Sequence, residues 1–581
     1  MEIRWKQYVE LFATYLRAQS GRLILFSALL LIGAGLQLVN PQLIAHFIDA
    51  VKKGSPFAIL ANLAWLYLLA SVLSQLSTAV MTYLGADIGW IATNRLRADL
   101  ALHCVKLDIA FHHRYTPGEM IERIDGDVNT LSNFFSVFLV NVIYNILMLI
   151  GVISVLFVVN WGVGLALAVF TLIAGGVLVL TRNYVVPFLK AEREVNAAMM
   201  GFVEERLGGL EDIRANSIGA FTMQSFSRLS RSFYQTVVRA WMMRNVTWLI
   251  TSGFFLVGTI ISVIMGTLLY QHNAITLGTV YLIFQYNTML RGPLEALTRQ
   301  LQELQQANAG ILRIRELMNE HPTITDGDAA MPDDHALSVE FSAVTFAYHA
   351  GDPVLRDIAF TLAPGRVLGV LGRTGSGKTT LLRLLYRLYD IQEGTIQVGG
   401  SDIRAVPLRA LRTRIGLVTQ DVQLFHATVR ENLTFFNPTV SDERIRQMIE
   451  ELGLLEWFAA LPHGLDTMLH AGGSGLSAGE SQLLAFTRVF LGNAGLVLLD
   501  EPSSRLDPAT ERLISRAVDR LLHDRTCIII AHRLGTVQRA DDILIFDEGR
   551  IIEYGERALL ERTSTSRFAH LLRTGQVKEL L

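Results

Sequence analysis

The stretch RVLGVLGRTGSGKTTLLRLL, residues 366–385, contains the pattern GxxxxGK[ST]. An apolar run predicts a strand leading in, the glycines predict a turn, and the leucines predict a helix leading out. Such a loop turns backbone N–H groups towards phosphate oxygens, and the helix N-terminus adds partial positive charge. Lys378 offers a compact charge to the outer phosphates, and Thr379 offers a hydroxyl to Mg²⁺. The residues predicted to hold the phosphates are Gly372, Arg373, Thr374, Gly375, Ser376, Gly377, Lys378, Thr379 and Thr380.

Two carboxylates end a second apolar run, GLVLLDEP (495–502). Asp500, at the end of the predicted strand, can orient Mg²⁺, and Glu501 can take a proton from an attacking water. An Asp-Glu pair after an apolar strand can also simply begin a loop. Together with the phosphate-binding pattern, it predicts a site of ATP hydrolysis.

Three further residues fit such a site. Gln420 in GLVTQDVQLF follows a strand and can contact the metal or the attacking water. His532 in CIIIAHR ends another strand and can donate a hydrogen bond to a γ-phosphate, while Tyr348 can stack on adenine. Taken singly, a loop glutamine, a strand-end histidine and a half-buried tyrosine are ordinary structural residues. Their order along the chain favours the functional interpretation.

The second half of the chain alternates strand-like and helical runs. A polar linker, HPTITDGDAAMPDDHA (321–336), precedes VEFSAVTFAY, RVLGVLG, GLVLLD, TCIIIAH and DILIFDEG, with helical stretches between them. This alternation predicts a mainly parallel α/β domain over residues 337–581.

The first half predicts a membrane domain. Hydrophobic residues make up 51% of the chain and charged residues 18%, which is low for a soluble protein. A helix needs about 20 apolar residues to cross a bilayer. Six segments satisfy this within residues 1–320: roughly 23–47, 57–84, 134–158, 161–186, 246–270 and 275–297.

The connections between these segments predict an orientation. The long ones, 85–133 and 187–245, are rich in Arg and Lys, so the positive-inside rule places them and both chain termini in the cytoplasm. If they continue as helices, their turning points near 115–124 and 210–221 can dock a cytoplasmic partner. Residues 5–19 resemble an amphipathic helix at the membrane surface, with a solvated helix as the alternative.

Composition excludes several classes of function. A formal net charge of −2 gives no global attraction to nucleic acid. The two cysteines, Cys104 and Cys527, exclude a disulfide framework or a cysteine-rich metal site, and we expect two buried thiols. His112 and His113 have no candidate partner ligands, so we predict no metal site there.

The motifs together resemble those of an ABC exporter half-transporter, in which six membrane spans precede one nucleotide-binding domain. The resemblance covers nearly the whole chain and implies a type I exporter fold, ATP with Mg²⁺, short coupling helices in the long loops, and a location in the cell (inner) membrane. It also implies a second half-transporter, because in this family two ATP molecules lie between two nucleotide-binding domains. The motifs match as GRTGSGKTT for Walker A, Gln420 for the Q-loop, LSAGE (476–480) for the signature, LVLLDEP for Walker B, SSRLD (503–507) for the D-loop, His532 for the switch histidine and Tyr348 for the adenine-stacking aromatic.

The signature departs from the family's usual LSGGQ. The resemblance implies that Ser477 and Gly479 contact the γ-phosphate of the ATP that the partner holds. Ala478 and Glu480, however, stand where the family usually has a glycine and a glutamine. If position 478 needs a positive φ, alanine strains it by about 1 kcal/mol. Further departures are LHAGGSG before the signature, Leu483 for a common arginine, and Arg505 for a small residue in the D-loop.

Lys378, Glu501 and His532 are intact, so the pattern resembles one subunit of a heterodimeric exporter whose partner has a sound signature and a weakened catalytic glutamate. The alternatives are a homodimer with a harmless signature variant, a nucleotide-gated regulator that moves no cargo, and an importer with an exporter-like fold. The predicted spans carry aromatic and methionine residues that suit amphipathic drugs, lipids or peptides as cargo, although such residues more often pack helices together or face lipid. These residues are Phe254, Phe255, Met265, Phe284, Tyr286 and Met289, and Asn141 and Asn145 offer polar groups in the third span.

Overall fold

The computed structural model describes residues 15, 19–133, 140–349, 351–470, 472, 476–492, 494–500, 508–530 and 537–574. Contacts divide the chain into two compact units, one of residues 1–105 and 117–320, the other of residues 106–116 and 321–581. The first unit is helical. Its helices are α1 Ser20–Lys52, α2 Phe57–Lys106, α4 Pro117–Ile121, α5 Asp127–Asn133, α6 Val140–Val159, α7 Trp161–Gly208, α8 Leu210–Ala215, α9 Gly219–Gln271 and α10 Leu277–Asn319. A π-helical turn lies at Glu122–Gly126. The short helix α3, Ile109–His112, belongs to the second unit.

Five of the described helices are long and apolar enough to cross a membrane: α1, α2, residues 141–159 of α6, α7 and α9. They overlap five of the six predicted segments, and α2, α7 and α9 extend well beyond them because the long connections continue as helix. The sixth predicted segment lies on α10, where Gln285, Asn287 and Arg291 make the sequence more polar. Helices α1 and α7 continue through Pro41 and Pro187, as expected for spanning helices whose neighbours compensate the lost hydrogen bond.

Glycines allow close contact between helices of the first unit. A Cβ at Gly258 of α9 would lie 2.4 Å from the Phe170 ring of α7, and one at Gly278 of α10 would lie 2.1 Å from the carbonyl oxygen of Ala45 in α1. Beside Gly278, the Asp49 carboxylate accepts hydrogen bonds from the Gly278 N–H at 2.8 Å and the Thr276 hydroxyl at 2.5 Å. Small residues thus bring α1 against the start of α10, as at membrane helix interfaces generally.

Several residues considered as cargo contacts are instead packed inside the first unit. Tyr286 and Phe255 are buried, and the Tyr286 hydroxyl donates to the Leu38 carbonyl at 2.6 Å. The Asn145 amide donates to the Asn141 carbonyl one turn earlier at 2.7 Å. Its bond is therefore within its own helix.

Two sheets and flanking helices form the second unit. Residues 106–116 belong to this unit, and there the Asp108 carboxylate, just before α3, accepts a hydrogen bond from the Thr323 hydroxyl at 2.8 Å. The helices are α11 Lys378–Leu385, α12 Leu408–Arg414, α13 Val429–Thr434, α14 Asp442–Glu451, α15 Leu455–Ala459, α16 Ala478–Leu491, α17 Pro508–Leu522, α18 Arg557–Arg562 and α19 Arg567–Thr574, with a 3₁₀ turn at Gly464–Asp466. The strands are β1 Val339–Phe346, β2 Leu355–Leu362, β3 Val367–Gly372, β4 Glu393–Val398, β5 Ser401–Asp402, β6 Ile415–Val418, β7 Ala427–Thr428, β8 Met468–Leu469, β9 Leu496–Asp500, β10 Thr526–Ile530, β11 Asp542–Asp547 and β12 Arg550–Glu556.

The main sheet has six strands in the order β12-β11-β3-β10-β9-β6 and is parallel except for β12. The predicted strands in RVLGVLG, GLVLLD, TCIIIAH and DILIFDEG all lie in it. VEFSAVTFAY does not: it forms β1 of a separate four-stranded antiparallel sheet, β2-β1-β4-β5. Its alternating burial marks a strand with one exposed face, and the prediction of a mainly parallel domain did not include this second sheet.

The main sheet is covered on both faces. Along β3, Val367 and Leu371 pack into one hydrophobic core, while Leu368 and Val370 pack into the other. Both cysteines are buried free thiols, as predicted, and burial raises the pKa of Cys527 to about 12. A sheet buried on both faces holds its strand ends in fixed positions, and the predicted site residues lie at those ends.

Candidate functional site

The carboxyl ends of four parallel strands bring the predicted site residues to one edge of the main sheet. In the order β3, β10, β9, β6, the first strand leads into the phosphate loop (residues 372–380) and the others end at Ile530, at Asp500 and at Val418, two residues before Gln420. Asp500 is paired in register with Ile530 and is 8% exposed. Ligands of open α/β sheets bind beyond such strand ends.

Glycine is required in the phosphate loop. Gly372, Gly375 and Gly377 have φ values of +151°, +82° and +109°, which other residues rarely adopt. A Cβ at Gly372 would lie 2.5 Å from the Phe546 carbonyl oxygen, whereas one at Gly375 would meet nothing within 4 Å. The loop is therefore tight at its base and open at Gly375.

Two buried polar groups inside the loop fit phosphate oxygens. The Lys378 ammonium, on a residue 6% exposed, donates to the carbonyls of Gly372 at 2.8 Å and Arg373 at 3.0 Å. The Ser376 hydroxyl is buried and has no hydrogen-bond partner among the described residues. Since buried polar groups in folded proteins are nearly always satisfied, an orphaned hydroxyl beside a buried ammonium matches a bound anion. The loop thus fits the triphosphate of ATP, with Thr379 exposed at the start of α11 where Mg²⁺ would be held.

Tyr348 is fixed in an aromatic cluster above α11. Its ring packs edge-on against Phe346 and Tyr389, with centroids 5.0 and 5.1 Å away. Its hydroxyl lies 3.0 Å from the Thr380 hydroxyl and accepts from Arg383 at 3.2 Å. The structure thus adds Arg383 and Tyr389, which the sequence analysis missed, and it shows Thr380 bonded to Tyr348. The signal for Arg383 was its position three residues after Thr380, on the same helical face.

We expect Tyr348→Ala to weaken ATP binding by roughly 5- to 150-fold, because stacking of a base on an aromatic ring contributes about 1–3 kcal/mol. Tyr348→Phe keeps the ring and removes only the hydroxyl bonds, so it is the matched control and should stay within about threefold of wild type. Titration with a fluorescent ATP analogue measures both. Equal losses in the two variants would assign the effect to the hydroxyl and not to stacking.

The signature turn (residues 476–480) caps α16. Ser477 is the N-cap: its hydroxyl accepts from the Glu480 N–H at 3.2 Å, and the Glu480 carboxylate accepts from the Ser477 N–H at 2.7 Å. This reciprocal arrangement is a capping box. Ala478 is the first residue of the helix, so its backbone is helical and the strain considered from the sequence does not arise. Leu483 is buried, 3% exposed, in a hydrophobic core.

Arg488 links α16 to the segment that follows Gln420. Its guanidinium donates to the carbonyls of Gln423 at 3.1 Å and Asn432 at 2.8 Å, and it lies 4.4 Å from the centroid of the Phe435 ring. Burial lowers the pKa of Arg488 to about 10. The sequence analysis overlooked this residue, although an arginine inside the apolar run LLAFTRVF signals a buried partner.

Several predicted residues lie outside the described part of the chain. They include the catalytic candidates Glu501 and His532, the D-loop with Arg505, most of residues 5–19, and residues 471 and 473–475 before the signature turn. Their roles stay predictions, as do those assigned to Gln420, Asp500, Ser477 and Gly479.

Comparison with known proteins identifies the family. Residues 23–294 match the ABC transporter transmembrane region, and residues 355–504 match the ABC transporter family model. The chain is 31% identical over 470 residues to the fatty acid ABC transporter ATP-binding/permease protein of Mycobacterium bovis, covering 80% of this chain and 74% of that protein. It is 30% identical over 531 residues to the ATP-dependent lipid A-core flippase of Burkholderia orbicola, covering 91% and 88%.

A solved structure has the same fold. The structure of a bacterial Atm1-family ABC exporter with ATP bound superposes with a TM-score of 0.79 at 23% identity, over 96% of this chain and 98% of that one. A helical membrane region followed by a P-loop domain on one chain is the arrangement predicted from the motifs. The chain therefore belongs to the ABC transporters, as an exporter-type half-transporter whose ATPase activity is coupled to transport.

Proposed function

We propose that this chain is one subunit of a heterodimeric exporter that uses ATP and Mg²⁺ to move an amphipathic cargo out of the cytoplasm. Its phosphate loop and the partner's signature turn enclose one ATP, and its own signature turn completes the partner's site. The Arg- and Lys-rich long loops support a cytoplasmic nucleotide-binding domain and termini, in the cell (inner) membrane.

The capping box at the signature turn is the main observation that supports a heterodimer. The Glu480 carboxylate takes the Ser477 N–H at 2.7 Å, so a full negative charge lies in the first turn of α16. A helix N-terminus attracts anions through its partial positive charge and its free N–H groups. Glu480 offsets that charge where the partner's γ-phosphate is expected. Glutamine would make the same hydrogen bond without the charge.

The phosphate loop has no comparable change. Its glycines have the backbone angles that the motif needs, and Lys378 and Ser376 are buried within it. The chain therefore combines an intact nucleotide side with a signature that weakens the site it shares. Two such chains would build two weakened sites, whereas a partner with a sound signature gives one strong site and one weak one.

Glu480→Gln should raise ATP affinity at the partner's site about two- to fivefold, since a charge at a helix N-terminus contributes about 0.3–1 kcal/mol. The measurement uses the two-subunit complex with Lys378→Met in this chain, so that ATP binds mainly at the partner's site. Glu393→Gln, at an exposed position on β4, makes the same chemical change elsewhere. If ATP affinity at the partner's site is unchanged in Glu480→Gln, the charge of Glu480 does not weaken that site.

The cargo class is supported by an ion pair in the first unit. Arg291 lies 14 residues into α10, about 21 Å along the helix that carries the sixth predicted span, and the hydrocarbon core of a bilayer is about 30 Å thick. Its guanidinium bonds the Glu295 carboxylate at 2.7 Å and the Ser252 hydroxyl at 3.1 Å, and lies 5.5 Å from the Phe255 ring centroid. Ionisable side chains at membrane depth usually mark a transport path. A partly exposed charged pair in a mainly apolar helical unit suits a cargo with a polar head and an apolar body.

Co-expression tests the proposal. The chain is purified alone and with a second half-transporter that carries LSGGQ, and each preparation is reconstituted into vesicles containing a fluorescent lipid that an external reagent quenches. We expect ATP-dependent lipid translocation and full ATPase activity only from the pair. Full ATPase with two equivalent sites from the chain alone would establish the homodimer, and ATPase without translocation of any amphipathic probe would favour a regulator.

A further inference from the structure

An open hollow of about 830 Å³ lies in the second unit, outside the residues assigned to nucleotide. Its wall is formed by α14, α17, the residue before β10, and Phe490 near the end of α16. Four arginines line it, and we call it the arginine hollow: Arg444, Arg516, Arg520 and Arg525.

Most carboxylates around the arginine hollow are already paired. Two acidic residues of its lining lie within 4 Å of an arginine, and a third lies beside a histidine ring nitrogen. The pairs are Glu451 with Arg520 at 3.9 Å, Asp519 with Arg539 at 2.5 Å, and Asp524 with His523 at 2.8 Å.

Three guanidinium groups are left without a carboxylate. Within the described part of the chain, no ion pair involves Arg444, Arg516 or Arg525, and Glu450 forms none either. Against these three guanidinium groups stand the carboxylates of Glu450 and of Asp524, whose partner is a histidine, so one positive charge remains in excess although the whole chain is slightly acidic.

Arg525 has a buried hydrogen-bond donor that no described residue accepts. Its Nη1 atom is buried and makes no hydrogen bond to any described residue, while its guanidinium lies 5.3 Å from the Phe490 ring centroid. Burial lowers the pKa of Arg525, Cys527 opposes that change, and the charge of Arg444 adds to it. A buried charged donor without an acceptor is unfavourable, so the site gains from an anion that reaches it.

We propose that the arginine hollow binds a small anion with several phosphate groups. Guanidinium groups donate two parallel hydrogen bonds to phosphoryl oxygens, and a multivalent phosphate can engage all three unpaired arginines at once. The volume lies within the range of small-molecule sites. An acidic protein segment is the competing ligand, but a hollow of this size on one unit fits a compact molecule better than an extended chain.

Tripolyphosphate binding to the full-length chain tests this assignment. Lys378→Met first removes the strongest phosphate contact of the nucleotide site, and calorimetry without Mg²⁺ then measures what remains. We expect saturable binding that Arg444→Gln/Arg525→Gln weakens by about tenfold or more, since each charged hydrogen bond counts strongly. The control pair Arg409→Gln/Arg562→Gln removes two exposed arginines elsewhere and should leave binding unchanged.

Two further measurements distinguish lost binding from lost folding, and phosphate binding from peptide binding. If the double variant melts early, Arg516→Gln replaces it, because that side chain is exposed on α17 and its loss should weaken binding without affecting the fold. A heptaglutamate peptide tests the acidic-segment alternative. No saturable tripolyphosphate binding, equal binding in both double variants, or binding of the peptide alone would each overturn the proposal.

Discussion

Lys378→Met is expected to weaken ATP binding at this chain's own site by about 100-fold or more. The ammonium is buried and donates to the loop carbonyls of Gly372 and Arg373, so it is held inside the loop that is predicted to bind the phosphates. Hydrogen bonds to charged groups contribute about 1.5–3 kcal/mol each, and the methionine chain has similar length without any charge. Equilibrium titration of the purified transporter with a labelled ATP analogue gives the affinity.

The loop itself provides the control for that experiment. Arg373 is exposed and its backbone carbonyl, not its side chain, accepts from Lys378, so Arg373→Gln should leave the loop conformation intact. Thermal melting in the absence of nucleotide distinguishes lost binding from lost folding. If Lys378→Met binds ATP within twofold of wild type, the phosphate-loop assignment fails.

Local patterns predicted the strands and the phosphate loop because each depends on short-range chemistry. The glycines at 372, 375 and 377 are needed for backbone angles that nearby residues determine, and the apolar runs of β3, β9, β10 and β11 are buried on both sheet faces. Buried parallel strands give continuous apolar runs, which a sequence shows directly.

Contacts between residues far apart in the chain could not be predicted from the sequence. Residues 339–346 pair with 355–362 and 393–398 in a separate antiparallel sheet, and nothing in the alternation of β1 names its partners. The contact of Tyr348 with Thr380 and Arg383 joins residues more than 30 positions apart. The capping box of Ser477 and Glu480 is local, and its S-x-x-E pattern was readable in advance.

Glu501→Gln should reduce ATP turnover by about 10²- to 10⁴-fold while leaving ATP binding intact. Asp500 ends the buried strand β9, and Glu501 follows it as the predicted base for the attacking water. General base catalysis contributes factors of this size, and the glutamine side chain has the same shape but cannot accept the proton. ATP should therefore stay bound between the subunits, which is measured by retention of labelled ATP through gel filtration alongside a phosphate-release assay.

The ATPase activity that remains in Glu501→Gln also shows how many of the two ATP sites hydrolyse ATP. In the proposed heterodimer the partner lacks a sound catalytic glutamate, so Glu501→Gln in this chain alone should remove nearly all turnover of the complex. Glu393→Gln makes the same change at an exposed position and should keep wild-type turnover. If about half of the activity survives Glu501→Gln, the partner's site hydrolyses ATP too, and the proposal of one strong and one weak site is wrong.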